Sequence, residues 1–220
     1  MIKRLFSSSR LNFTISIFLL GAFSFVLYLC RVIYTGSFEF LFLNWNLFLA
    51  SVPFVISSII ILNDLQRNKK LLALLILCWT LFFPNSPYIL TDLFHLNMST
   101  KAPVWYDLIL ILSYAWTALI CGAVSLMDIE KVLSTFLGKG KTTFFIIFYL
   151  FLSGFGIYIG RYLRWNSWSI LDDPSGLFSD IVRIFIHPFD HPKTWGLTIL
   201  AGTLLNLLYF SFKFIKIHKE

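Results

Sequence analysis

Apolar residues fill six long blocks of this chain, at about residues 11–34, 40–62, 71–90, 105–127, 143–163 and 195–212. At a rise of about 1.5 Å per residue, each is long enough to carry a helix across a hydrocarbon core roughly 30 Å thick. The last block is the shortest but continues through Phe212 before Lys213. The pattern predicts an all-α integral membrane helical bundle of six spans, forming a single membrane domain over residues 1–220. Two connections, 63–70 and 128–142, read as short solvated turns. Between the fifth and sixth blocks, Leu177, Ile181, Ile184 and Phe185 recur at helical spacing opposite Asp180 and Arg183. That spacing predicts a short amphipathic helix near 176–186, lying at a membrane interface. Pro188 and Pro192 end it before the sixth span begins.

Composition agrees with lipid as the main solvent. The chain is 58% hydrophobic and 13% charged, where soluble domains carry about 25% charged residues. The net charge of +7 does not point to nucleic acid, because the basic residues sit in short loops and termini rather than in a separate soluble module. They orient the spans instead. With the N-terminus inside, twelve Lys and Arg residues face the cytoplasm and six face outward, which satisfies the positive-inside rule and gives N-in, C-in topology in a cell membrane. Lys3, Arg4 and Arg10 ahead of the first block, with no small-x-small cleavage site after it, suit an uncleaved signal anchor. Cys30, Cys78 and Cys121 lie in separate apolar blocks without CxxC pairing and read as packing residues. No cofactor is expected.

Two polar stretches interrupt the apolar pattern, and the topology brings both to the outer face. In the first, Pro84 and Pro87 break the third span, with Ser86 placed to cap a new helix and Pro87 at its first position. A helix over 88–96 would align Tyr88, Thr91, Asp92 and His95 on one face. Asp92 and His95, one turn apart, could act as a carboxylate-oriented acid–base pair, a metal pair or a proton relay. A structural hydrogen bond is the plain alternative. In the second stretch, Arg161, Arg164, Trp165 and Trp168 share a helical face at an end where the positive-inside rule disfavours arginine. Guanidinium forks suit carboxylate or phosphate, so the candidate partners are Asp92, Asp107, or an anion from outside. Asp107 could also serve only the helix dipole. Asn46 is placed to hydrogen-bond across helices. Gly156 and Gly160 form a GxxxG pair that offers a face to another helix, in this chain or a partner. His187 and His191 lack the spacing of a familiar zinc motif, and no metal is expected.

The strings Phe83-Pro84-Asn85-Ser86-Pro87-Tyr88-Ile89, Trp105-Tyr106-Asp107 and Arg161-Tyr162-Leu163-Arg164-Trp165-Asn166-Ser167-Trp168 resemble the bacterial membrane family called domain of unknown function 1361, over about residues 40–210. The resemblance implies a polytopic bacterial membrane protein and no particular reaction. From the residues, the expected site comprises Asp92 and His95 as the acid–base pair, with Asn85, Tyr88, Asp107, Arg161, Arg164 and Asn166 binding substrate. The expected ligand is an anionic envelope substrate such as a lipid headgroup, recognised and, in one reading, processed. Membrane lipids are thus the expected partners. The competing readings are a transporter or channel subunit, using the broken third span, and a membrane scaffold.

Overall fold

The computed structural model describes residues 2–63, 68–96, 101–165 and 172–217, and among these no strand forms. The elements are α1 (Ile2–Thr35), α2 (Phe42–Leu62), α3 (Lys69–Phe82), α4 (Asn85–Tyr88) and a 3-10 helix (Ile89–His95). They are followed by α5 (Val104–Leu137), α6 (Lys139–Tyr162), α7 (Pro174–Ile186) and α8 (Pro192–Ile217). Six stretches are long and apolar enough to cross a membrane: α2, α5, α6, most of α1 and α8, and the run Lys69–His95 made by α3, α4 and the 3-10 helix. The expected interfacial helix is α7. Its start carries helix-start signals: Pro174 is in the first turn and the Asp173 carboxylate accepts from the Gly176 N–H at 2.9 Å. Those backbone and Ser175 hydrogen bonds hold the Asp173 carboxyl below its ordinary pKa.

Helix α5 is the centre of the bundle, packing against α1, α2, α4, the 3-10 helix and α6. Half of its most apolar window is buried, against 11% for α1, so α1 lies at the periphery. Arginines pin α1 near both ends. Arg31 holds Asp107 of α5 at 2.7 Å, both side chains 1% exposed. Arg10 pairs with Asp128 of α5 and donates to Ser58 of α2. Asp107 therefore answers Arg31, not Arg161 or Arg164. The 128–142 connection also differs from expectation. α5 continues through it to Leu137, and Gly138 alone, at φ 75°, turns the chain into α6. Asp128 is buried because it serves Arg10, and the basic residues that suggested a solvated turn lie on helix ends.

Small residues set the closest helix approach, but not those of the GxxxG pair. A Cβ on Gly154 would lie 2.8 Å from the Thr198 carbonyl, and one on Gly202 would overlap Phe151, so α6 and α8 meet backbone to backbone there. Gly156 and Gly160 instead face Pro84 and Tyr88, with a Cβ reaching 3.4 Å and 3.1 Å respectively. They make room for the interrupted third span of the same chain. A core of Trp79, Phe83 and Tyr149 closes the α3–α6 interface, with ring centroids 4.8–5.3 Å apart.

Candidate functional site

The two prolines shape the site differently from a cap and restart. Each withdraws one amide hydrogen from the helical ladder, and the chain responds by tightening. The Ser86 N–H reaches back three residues to Phe83 at 2.9 Å, and Leu96 does the same to Leu93 at 3.1 Å. Ser86 caps nothing; its hydroxyl donates to the Ala50 carbonyl of α2 at 2.8 Å. In a 3-10 helix residues three apart stack, so the single polar face expected for an α-helix splits in two. Ile89, Asp92 and His95 form one row, with Ile89 and Asp92 buried. Tyr88, Thr91 and Phe94 form another, and the Thr91 hydroxyl is spent on the Tyr88 carbonyl at 2.7 Å.

Asp92 is the hub of the inward row. Its side chain is 1% exposed; one oxygen accepts from Asn46 Nδ2 of α2 at 2.8 Å, and the other lies 3.5 Å from Arg161 Nη1 of α6. The two polar stretches thus meet directly, and α2 supplies the carboxylate's other partner. The Asp92 carboxylate does not hydrogen-bond His95: Oδ1 is 4.0 Å from Nδ1. The ring nitrogen sits 3.2 Å from the Asp92 carbonyl, while Arg161 Nη2 lies 3.1 Å from Nδ1 and 3.4 Å from Nε2. Phe42 covers the imidazole at a centroid distance of 4.9 Å, and Phe94 lies beneath the guanidinium. The Asp92 carboxylate and the His95 imidazole are therefore joined through Arg161.

A cleft of about 420 Å³ adjoins this cluster. Asn46, Asn85, Tyr88 and Gly160 line its polar end, beside the indoles of Trp45 and Trp165. Leu49, Leu81, Pro84 and Gly156, about one turn further into the bundle, line its apolar end. Asn85 anchors its own amide on the Phe82 carbonyl at 2.9 Å. Leu177 and Ile181 of α7 form an outer wall, tied down where Trp165 Nε1 donates to Asp180 at 2.9 Å. On its other flank α7 exposes Phe178 and Ile186, and Phe189 follows with 96% exposure. The expected spacing of Leu177, Ile181, Ile184 and Phe185 is right; it faces the cleft and the α6 side chains Phe155 and Tyr158, with the Phe185 ring 5.6 Å from that of Phe155.

Arg164, at φ 61°, is the one non-glycine residue with positive φ among those described. It is exposed, has no ion pair among the described residues, and precedes Trp165 at the cleft wall. Asn166 lies outside the described residues. Among those described, no three His, Cys, Asp or Glu side chains gather into a cluster that could hold a metal. Asn46 as the carboxylate's partner and Arg31 as that of Asp107 were the contacts the site reading lacked. Arg31 had a signal, an arginine at the outer end where the positive-inside rule disfavours it, as for Arg161.

This architecture defines a multi-pass helical protein of membrane-spanning dimensions, with a charged cluster and a cleft at one end. The chain belongs to a family described as Protein of unknown function (DUF1361), whose model matches residues 45–208. No functionally curated protein and no solved structure matches it. The family match includes α3, α6, α7 and the cleft residues, and omits α1.

Proposed function

We propose that the protein resides in the cell membrane with this end facing outward, and that the cleft binds an amphiphile with an anionic headgroup, such as a membrane phospholipid. The observation that carries this is the layering of the cleft, with amides, indoles and a phenol at the end next to Arg161 and apolar side chains one turn deeper. That order matches a headgroup above acyl chains. Volumes of a few hundred Å³ suit small ligands, and α2 and α6 do not pack closely enough to close the gap between them. Charge supports the anionic preference. Arg161 is balanced by Asp92 and Arg183 by Asp180 at 3.6 Å, while the exposed Arg164, next to Trp165 of the cleft wall, has no ion pair among the described residues. A phosphodiester, with one negative charge, complements it.

Binding accounts for the geometry better than chemistry at Asp92 and His95. Both carboxylate oxygens are engaged by Asn46 and Arg161, and the imidazole stands beyond hydrogen-bond reach of them. Native mass spectrometry of the purified protein, with equimolar phosphatidylglycerol and phosphatidylcholine, tests the proposal. Preferential retention of phosphatidylglycerol by about fivefold is expected, about 1 kcal/mol for one cation near an anionic headgroup. The preference should disappear in Leu81→Trp, which fills the apolar end. Equal retention of both lipids, or a preference unchanged in a folded Leu81→Trp variant, would overturn it.

A further inference from the structure

At the same end of the bundle, a second cavity of about 440 Å³ lies between α1 and α5, lined by Cys30, Arg31, Tyr34, Pro103, Trp105 and Tyr106. It shares no lining residue with the cleft. Arg31 in its wall is 1% exposed. Nε and Nη2 donate to Asp107, and Nη2 also to Glu39, but Nη1 is enclosed without a partner among the described residues. Charge here is already balanced: Arg31 and Lys101 face Asp107 and Glu39. The missing element is therefore an uncharged hydrogen-bond acceptor. A buried donor left unpaired is unfavourable, and Arg31 lines this cavity, so an acceptor seated there gains if a small turn of the guanidinium brings Nη1 to it. Trp105 and Tyr34, 62% and 74% exposed, are residue types that settle at the level where headgroup gives way to acyl chain.

We infer that this cavity is a second lipid site, which takes the glycerol–ester region of a diacyl lipid, with an ester carbonyl accepting from Arg31. It differs from the cleft in chemistry: the ester carbonyl, rather than the headgroup charge, is what it recognises. The inference does not depend on the cleft being a lipid site.

Cys30 supplies the reporter, since it is exposed in the cavity wall while Cys121 is buried and Cys78 half-buried. In full-length protein carrying Cys78→Ala and Cys121→Ala, alkylation of Cys30 by N-ethylmaleimide is followed by intact mass in detergent micelles. Diacyl phosphatidylcholine is then titrated in, beside its diether analogue, which keeps the headgroup and chains but lacks both carbonyls. Ester lipid should slow alkylation in proportion to occupancy, about tenfold at ten times the dissociation constant, and the diether analogue should protect far less. Replacing the headgroup with phosphatidylglycerol should change nothing. Trp105→Ala should weaken protection, and Leu81→Trp in the cleft should leave it intact. Equal protection by ester and ether, control by headgroup charge, or no protection in a folded chain would each overturn the inference. Loss of protection in Leu81→Trp would assign the effect to the cleft instead.

Discussion

Replacing either member of the Asp92–Arg161 pair should destabilise the protein unequally. Arg161→Met leaves a carboxylate 1% exposed whose one other side-chain hydrogen-bond donor among the described residues is the neutral Asn46 amide. Removing one partner of a buried ion pair costs about 3–5 kcal/mol. The 3.5 Å separation is longer than a charge-assisted hydrogen bond, and Arg161 is 17% exposed, so a loss near the lower bound, about 3 kcal/mol, is expected. Asp92→Asn is milder. The amide oxygen still accepts from Asn46, and the guanidinium keeps its contacts with His95 and Phe94 and meets water at the rim, for a loss of about 1 kcal/mol. The double variant buries no charge and should resemble Asp92→Asn, a coupling of about 3 kcal/mol. Equilibrium unfolding in mixed micelles by SDS titration, followed by tryptophan fluorescence, measures all four corners. The reasoning is refuted if Arg161→Met is no worse than Asp92→Asn, or if the coupling falls below about 0.5 kcal/mol.

Three other perturbations separate parts of the account. Gly154→Ala, whose Cβ would lie 2.8 Å from the Thr198 carbonyl, should lower stability by about 1–3 kcal/mol, whereas Gly156→Ala, with 3.4 Å of room beside Pro84, should cost less than about 1 kcal/mol; melting temperatures compare them, and equal losses would contradict the assigned α6–α8 contact. Arg164→Gly relieves a positive φ and should raise the melting temperature by about 2–4 °C per kcal/mol gained, while abolishing the preference for anionic lipid; a variant that melts higher and retains the preference would remove Arg164 from the site. Reporter fusions at Gly138 should read cytoplasmic and those at Lys101 external, as the basic-residue asymmetry requires; an external signal at Gly138 would invert the protein and place the cleft at the inner face.

The six spans were legible because a long apolar block leaves the backbone few alternatives to a helix in lipid. The face of Asp92 and Arg161 was legible too, since an ionisable group in such a block must find a partner or water. What sequence periodicity misjudged was local. Pro84 and Pro87 mark a break, but whether the chain restarts as an α-helix or tightens into a 3-10 helix depends on which donors survive, and that choice moved Tyr88 and Thr91 away from the row of Asp92 and His95. Partner choice was harder still. Asp107 had four arginines at its end of the bundle, and only the packing of α1 against α5 selects Arg31. The cleft itself could not be read, because it is the gap that α2 and α6 leave between them rather than a property of any one segment.

A high-resolution structure of the protein in a phosphatidylglycerol nanodisc tests the central claim most directly. The account predicts lipid density in the cleft, with the phosphate beside Asn85, Tyr88 and Arg164 and an acyl chain running past Leu49, Leu81 and Gly156. An empty cleft in the presence of abundant anionic lipid, or a chain lying in it with its headgroup at the apolar end, would contradict it.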